Sequence, residues 1–437
     1  MLLFTIKTIK SLKKNYLLYF VMMTLLFAFE FCFIAMFDYL NQLLLDPIVF
    51  MAISFIPFMS LFISVVLSAF LSQYFIQSKQ HEFSMLLMFG RKAQDLFVYL
   101  WIQFGTILLT AFIIGIGLGI LLIEMINIFL ANYFTFFYSI PYTIFIDIFA
   151  LIFTLIIVFA LSAKQLTYID CHMMETLHQK TTQEIAPYQI FMSRHYYKRK
   201  IPFSRIFISI IEIIILFYSI DALVHNTILQ NKLIYFLLCF SSIIYLSNQF
   251  IPLIFDLFHK QITHHSLLFH SLTSYMYLTH QLLSITNIHS IILPSLFMLL
   301  MLCDPNNHIT LLVVPCFIML LILLLMCIVM KYMFYLQSLK KIYATQGALG
   351  YSIRQLFQIS LLKNLFFFLS IVLIPYLYIH YLGQYIIQNQ ILESQIMYGL
   401  EIFYFISYLI FMISMIYKEK KFMKEATSYV KYLNRSE

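Results

Sequence analysis

Residues 105–123 read GTILLTAFIIGIGLGILLI, nineteen positions without a charged side chain. A helix of about 20 apolar residues crosses the hydrocarbon layer of a bilayer, so this stretch predicts a membrane span. It lies within a longer apolar run, 97–130, which must tilt or extend beyond the bilayer. Across the chain 62% of residues are hydrophobic and 11% are charged, whereas soluble proteins carry about 25% charged residues. This composition therefore predicts a chain that is embedded in a lipid bilayer.

Similar apolar runs recur along the whole chain and predict an all-α integral membrane protein with about ten transmembrane helices. An even number of spans places both termini on the same side. The first run has no small-residue cleavage site of the signal-peptide kind, so we expect it to be retained. The predicted spans are 16–37, 48–75, 97–130, 138–163, 204–224, 233–257, 286–303, 309–335, 358–382 and 397–417.

The basic residues predict the orientation, because Lys and Arg near span ends are retained in the cytoplasm. With the N-terminus inside, all 27 basic residues except Lys232 fall in cytoplasmic segments. We therefore expect both termini in the cytoplasm, at the bacterial cell (plasma) membrane. The net charge of +8 is explained by this topology and does not indicate nucleic acid. The predicted segments are a first transmembrane half (1–165), a cytoplasmic linker (166–203), middle spans with an amphipathic cytoplasmic segment (204–285), a second transmembrane half (286–417) and a basic cytoplasmic tail (418–437).

An internal repeat links two segments that each follow an apolar span. Residues 77–90 (QSKQHEFSMLLMFG) and 337–350 (QSLKKIYATQGALG) align at a constant offset of 260 positions. Each predicts a short cytoplasmic helix that has an apolar stripe and ends at a glycine suited to a helix C-terminus. Such a helix either transmits force between spans or lies on the lipid headgroups. The stripes are Phe83, Leu86 and Leu87 in the first copy and Ile342, Tyr343 and Leu349 in the second.

These segments resemble the signature of FtsX-like permeases, in which a glutamate-containing stretch runs into an apolar helix and a glycine. Two sets of residues match it: Glu82, Leu86 and Gly90 in the first copy, and Ala348, Leu349 and Gly350 in the second. The basic stretches 7–15 and 193–200 are similar to the lead-in before a first span. Ten spans with two such units resemble the bacitracin-resistance type of permease. The second copy has Ile342 in place of the glutamate, and only 303–308 stand where that type carries a large extracellular domain.

The resemblance implies the membrane subunit of an ATP-binding cassette (ABC) transporter. Its coupling helices would dock on a separate cytoplasmic ATPase, in two copies, which binds the ATP and magnesium. This sequence has no G-x-x-x-x-G-K-[ST] loop, so we expect no catalytic site and no cofactor in this chain. Implied substrates are amphipathic, such as antimicrobial or bacteriocin-like peptides, and the transporter would export or dislodge them to give resistance or immunity. Membrane lipid and a small accessory membrane protein are further expected partners.

Three alternatives remain open from the sequence. An FtsX-like subunit can transmit a conformational signal without transport, and a related permease can handle lipids or lipoproteins. An ion-driven secondary transporter would need broken helices with buried charges at matched depths. Pro294, Pro315 and Pro375 interrupt spans, but no charge accompanies them.

Several intramembrane residues are candidates for function or for packing. Charged side chains within spans are costly and often functional, so Glu30 and Glu212 are candidates for a substrate cavity, and polar packing between helices is the alternative. Gly115, Gly117 and Gly119 form a small-residue face that predicts close helix packing, either within the chain or in a dimer.

The histidines between the sixth and seventh spans do not predict a metal site. Only His265 and His270 are spaced to face the same way, and no carboxylate or cysteine joins them. We interpret 263–283 as an amphipathic helix on the inner membrane surface. The six cysteines form no CxxC pair and indicate small apolar side chains.

Overall fold

The computed structural model describes residues 13–42, 60–73, 86–90, 92–133, 203–225, 229–258, 264–300 and 308–433, with isolated positions between them. All regular elements in these ranges are helical, as predicted for an all-α membrane protein. The helices are α1 (Lys13–Gln42), α2 (Ser60–Gln73), α3 (Ala93–Tyr133), α4 (Phe203–His225), α5 (Leu229–Leu257), α6 (Ser266–Leu300), α7 (His308–Ala348), α8 (Ile353–Phe368), a π-helical segment (Leu369–Leu373), α9 (Ile374–Gln388) and α10 (Ser394–Leu433).

The chain divides into two compact units. The first contains Met1–Thr181 and Asn307–Met330, and the second contains Thr182–Asn306 and Lys331–Glu437. Helix α7 therefore contributes residues to both.

In the first unit α1 packs along α3 at the glycine face predicted from the sequence. A Cβ atom added at Gly115 would lie 2.8 Å from Phe27 Cβ, and one at Gly119 would lie 2.7 Å from Phe31 Cδ1. Glycine lets the two backbones approach this closely. A Cβ at Gly117 would meet no atom within 4 Å. The packing interpretation is thus confirmed for Gly115 and Gly119, within one chain, whereas Gly117 faces away.

Helix α2 presents a stripe of four buried serines at intervals of one helical turn: Ser60, Ser64, Ser68 and Ser72. The hydroxyls of Ser64, Ser68 and Ser72 donate hydrogen bonds to carbonyl oxygens one turn earlier, which satisfies them inside an apolar environment. At one end of the stripe the Ser72 hydroxyl also lies 3.4 Å from the Tyr19 hydroxyl of α1. Hydroxyl groups therefore meet where α1 contacts α2, although both helices are otherwise largely apolar.

In the second unit α4 and α5 form a helical pair, and α6 packs against α5, α8 and α9. Two buried tyrosines hold the π-helical segment. Tyr275 of α6 donates to the Ser370 hydroxyl at 2.7 Å, and Tyr404 of α10 donates to the Val372 carbonyl at 3.2 Å. A π-helical turn leaves backbone carbonyls misaligned with the α-helical ladder, and the Tyr404 hydroxyl satisfies one of them.

Within the described residues, six helical stretches are long and apolar enough to cross a membrane. They are Leu17–Tyr39, Gln94–Asn132, Ile206–Leu223, Leu311–Met333, Ile353–Gln388 and Ser394–Glu425, and each overlaps a predicted span. The predicted span 48–75 contains the shorter helix α2, 233–257 lies in α5, and most of 138–163 falls outside the described residues. The total of ten spans stays a prediction.

Two predicted boundaries differ from the structure. The amphipathic segment 263–283 and the span 286–303 were expected to be separate, but α6 runs unbroken through both, from Ser266 to Leu300. Its polar residues Ser271 and Thr273 are buried and donate to carbonyls of their own helix, so they do not mark a surface helix. Likewise α10 continues past Tyr417 to Leu433, and Glu419 in the predicted tail is fully buried.

Candidate coupling site

In each copy of the repeat a helix ends at the glycine identified from the sequence, and the chain turns there into the next helix. We call this turn a corner. Gly90 and Gly350 adopt positive φ angles of 83° and 92°, which glycine accepts without strain. The amide of Gly90 donates to the Leu87 carbonyl, and that of Gly350 to the Gly347 carbonyl. A further bond from the Tyr351 amide to the Gln346 carbonyl completes a Schellman motif at the second corner. The prediction that both helices end at these glycines is confirmed.

The two helices that follow the corners begin 260 positions apart. Helix α3 starts at Ala93 and α8 at Ile353. The Leu96 amide donates to the Lys92 carbonyl, and the Leu356 amide donates to the Ser352 carbonyl. Ser352 also forms a capping box with Gln355, which fixes the start of α8. The repeat is therefore a structural one, and it extends beyond the segments aligned by sequence.

The buried residues of α3 and α8 are also related by the offset of 260 positions. Leu96 and Leu356 are both buried, as are the pairs Tyr99 and Ile359, Leu100 and Ser360, Gln103 and Lys363, and Phe104 and Asn364. Equivalent faces of α3 and α8 thus point into their own units. The chemistry of the buried positions differs, because only the second copy places a charged side chain there.

Each corner exposes a large apolar side chain directly before its glycine. Phe89 is 83% exposed and Leu349 is 73% exposed, and these two residues are also 260 positions apart. Met88 beside Phe89 is exposed as well. An exposed apolar side chain at such a turn is available for contact with a partner or with a membrane surface. We define Phe89 and Leu349 as the corner tips.

A buried polar cluster lies behind the second corner. Lys363 of α8 forms an ion pair with Glu419 of α10, and both side chains are at most 1% exposed. Tyr332 donates to Glu419 Oε2 at 2.8 Å, Asn364 Nδ2 donates to the same oxygen at 3.0 Å, and the Tyr343 hydroxyl donates to Oε1. Charged groups are kept inside a protein only when they are paired and hydrogen-bonded, and this carboxylate meets both conditions.

Tyr343 connects this cluster to the corner. It lies in the last turns of α7, five residues before the helix ends at Ala348, and it is buried. Burial and the negative charge of Glu419 both raise the pKa of the Tyr343 hydroxyl well above its usual value, so the hydroxyl keeps its proton and remains a donor. Lys363 also stands over the Tyr335 ring, with Nζ 5.0 Å from the ring centroid. The cluster therefore joins α7, α8 and α10 at the base of the corner.

The first unit has no equivalent charge at the matching positions. Gln103 stands in place of Lys363, Phe104 in place of Asn364, and Ser72 in place of Tyr332. The Phe104 ring packs edge-on against Tyr19 of α1, with centroids 5.6 Å apart. The first corner is thus supported by aromatic and neutral polar contacts, and the second by an ion pair.

The residues predicted for ATPase coupling divide into three groups. Glu82 and Phe83 lie outside the described residues. Leu87 and Tyr343 are buried and Leu86 is partly buried, so these residues hold the corners in place. Gly90, Leu349 and Gly350 lie at the exposed turns, after Ala348 ends α7.

The two carboxylates predicted for a substrate cavity belong to different units. Glu30 of α1 is 3% exposed, and its Oε2 has no hydrogen-bond partner among the described residues. Glu212 of α4 is partly buried and accepts a hydrogen bond from the Ser242 hydroxyl at 2.7 Å. The role of both carboxylates in a cavity stays a prediction.

Sequence reasoning missed the ion pair because its members look like separate interfacial charges. Lys363 was counted among the cytoplasmic basic residues, and Glu419 fell in the predicted tail. One signal was available: Tyr332, Tyr335 and Tyr343 are spaced to lie on one face of α7. A row of hydroxyl donors on a helix is typical of a buried acceptor nearby.

No metal site is found in the part of the chain that the structure describes, where no three His, Cys, Asp or Glu side chains are grouped to hold an ion. His270 instead contacts the Tyr351 hydroxyl through Nε2 at 2.9 Å. That contact links α6 to the residue that follows Gly350.

Residues 54–166 match the protein family described as FtsX-like permease C-terminal. The matched range includes α2, the first corner and α3. No curated protein matches this chain. The match supports the FtsX-like family and, with the apolar helices, a multi-pass membrane protein of the kind that serves as the membrane subunit of an ABC transporter.

Proposed function

We propose that this protein is the permease subunit of an ABC transporter and that both corners dock on cytoplasmic ATPase subunits. The observation that carries this proposal is the pair of exposed corner tips, Phe89 and Leu349, at equivalent positions of a structural repeat. Two equivalent contacts suit two copies of one ATPase, because the corners present similar apolar tips at equivalent positions of the repeat. The tips are apolar, and a single buried apolar anchor commonly dominates such an interface.

Movement at the second corner reaches the membrane through the buried cluster. Tyr343 lies in the helix that ends at this corner, and it is hydrogen-bonded to Glu419 of α10, which is paired with Lys363 of α8. A displacement of the corner therefore moves three helices as one body. The ATPase binds the ATP and magnesium, and the helices of this chain transmit the movement.

The substrates are amphipathic molecules, most specifically antimicrobial or bacteriocin-like peptides, which the transporter exports or dislodges from the membrane to give resistance or immunity. The support for this class is the resemblance to bacitracin-resistance permeases together with the apolar composition of the chain. Both termini are in the cytoplasm in this arrangement, on the same side as the two corners. A small accessory membrane protein completes the complex.

The proposal is tested by co-purification with a candidate ABC ATPase, which is sought first among the neighbouring genes. Phe89→Asp and Leu349→Asp place a charge at each tip without touching a buried residue. Loss of an apolar anchor costs about 2 kcal/mol, or roughly 30-fold in affinity. We expect each single variant to retain about half of the ATPase and the double variant almost none.

Phe89→Leu and Leu349→Phe are the matched controls, since they keep an apolar tip of different shape. They should retain the ATPase at the unaltered level. Equal retention by the Asp variants and the controls would show that the corner tips face the lipid surface and do not bind an ATPase.

A further inference from the structure

The second unit contains a large groove that is lined neither by the corner tips nor by the members of the buried cluster. Its volume is about 1250 Å³, above the roughly 300–1,000 Å³ of typical small-molecule pockets. Helices α4, α5, α6, α8 and α9 and the π-helical segment form its walls. Thirteen of its eighteen lining residues are isoleucine, leucine or phenylalanine, so its occupant is apolar over most of its length.

The groove is open to the surroundings of the helices. Lining residues Phe217 and Leu377 are 69% and 59% exposed, and they stand on opposite walls, α4 and α9. In a membrane protein such exposed apolar residues face lipid. An acyl chain can therefore enter from the side without crossing a polar barrier.

Two pairs of polar residues also line the groove. Gln261 and His265 precede the start of α6, and His380 and Tyr381 lie in the middle of α9. Glu401 fixes His380 through a contact of 2.8 Å to Nδ1. These side chains offer hydrogen bonds to the phosphate or ester groups of a lipid.

The composition of the walls favours lipid over a partner helix. Helices in membranes pack through small residues, and this chain uses Gly115 and Gly119 in that way. None of the residues lining the groove is glycine, alanine, serine or threonine. Large branched and aromatic side chains suit flexible acyl chains, which adapt to an uneven surface.

We propose that this groove is a phospholipid-binding site, in which acyl chains lie between α4 and α9 and headgroups are held at Gln261 and His265 or at His380 and Tyr381. None of the lining residues is a corner tip or a member of the Lys363–Glu419 cluster. Bound lipid would also contact Leu369 and Leu373 of the π-helical segment. The π-helical segment is thus part of the proposed lipid site.

The test measures phospholipid retained by the purified full-length protein. The protein is reconstituted in vesicles of phosphatidylethanolamine and phosphatidylglycerol, extracted in mild detergent and examined by native mass spectrometry. Leu216→Trp and Leu373→Trp fill the groove from opposite walls. Ile214→Trp is the control, because Ile214 is 61% exposed on α4 and does not line the groove.

We expect one or two phospholipids on the unaltered chain and on Ile214→Trp, and at least a fivefold lower bound fraction on the two groove variants. Thermal unfolding of each variant shows whether it is folded, and either groove variant alone suffices for the comparison. Equal retention by all three variants would mean surrounding lipid only and would overturn the proposal. A co-purifying peptide that occupies the groove in place of phospholipid would overturn it as well.

Discussion

At the scale of single residues, the Lys363–Glu419 pair is the feature with the largest expected effect on stability. Both side chains are buried, and removal of one partner from a buried pair costs about 3–5 kcal/mol. We expect Lys363→Met to lower the free energy of unfolding by about this amount, since the Glu419 carboxylate then lacks its counter-charge. Denaturant-induced unfolding in detergent measures the change.

The neighbouring lysine provides the control for this prediction. Lys420 is exposed, with its Nζ 5.1 Å from the Phe357 ring centroid, so Lys420→Met should change stability by no more than about 0.5 kcal/mol. Adding Glu419→Gln to Lys363→Met should recover part of the loss, because a neutral amide needs no counter-charge. If the double variant is as unstable as the sum of both single variants, the pair does not act as a charge pair.

At the scale of elements, the α1–α3 contact depends on two of the three glycines in α3. A Cβ at Gly115 would lie 2.8 Å from Phe27 Cβ and 3.0 Å from the Thr24 carbonyl oxygen, atoms that cannot rotate away. Overpacking of this kind costs about 1–3 kcal/mol. Gly117→Ala meets no atom within 4 Å and gains up to about 1 kcal/mol of helix propensity.

Gly115→Ala and Gly117→Ala gain the same helix propensity, so the difference in their unfolding free energies isolates the packing term. We expect Gly115→Ala to be the less stable of the two by at least 1 kcal/mol in thermal or denaturant unfolding. Equal stability of the two variants would contradict the close approach of α1.

Some of these elements were predictable from local sequence signals, and others depend on distant contacts. Apolar run length predicted the six long helices, and the glycines at 90 and 350 predicted the corners, because both signals are local. The unbroken course of α6 was not predictable, since Ser271 and Thr273 look like surface residues until their neighbours are known. The π-helical segment has no sequence signal of its own, and its carbonyl depends on Tyr404, 32 residues after Val372.

At the scale of the whole molecule, the ion pair shows why long-range contacts escape a sequence analysis. Lys363 and Glu419 are separated by 56 positions, and each looks like an interfacial charge beside a span. The aligned repeat could predict that the two halves share a corner, but not that only the second corner is held by charges. The two corners are thus alike in backbone and different in the buried chemistry behind them.

The orientation of the chain in the membrane determines the side on which the two corners lie. Six predicted spans lie between the two corners, an even number, so Phe89 and Leu349 should face the same side. The basic residues predict that this side is the cytoplasm and that Glu393, in the exposed turn before α10, faces outward. With the native cysteines replaced, Phe89→Cys and Leu349→Cys should resist a membrane-impermeant thiol reagent in intact cells and react after lysis. Glu393→Cys should react in intact cells, and labelling of only one corner from outside would show that the repeat is inverted.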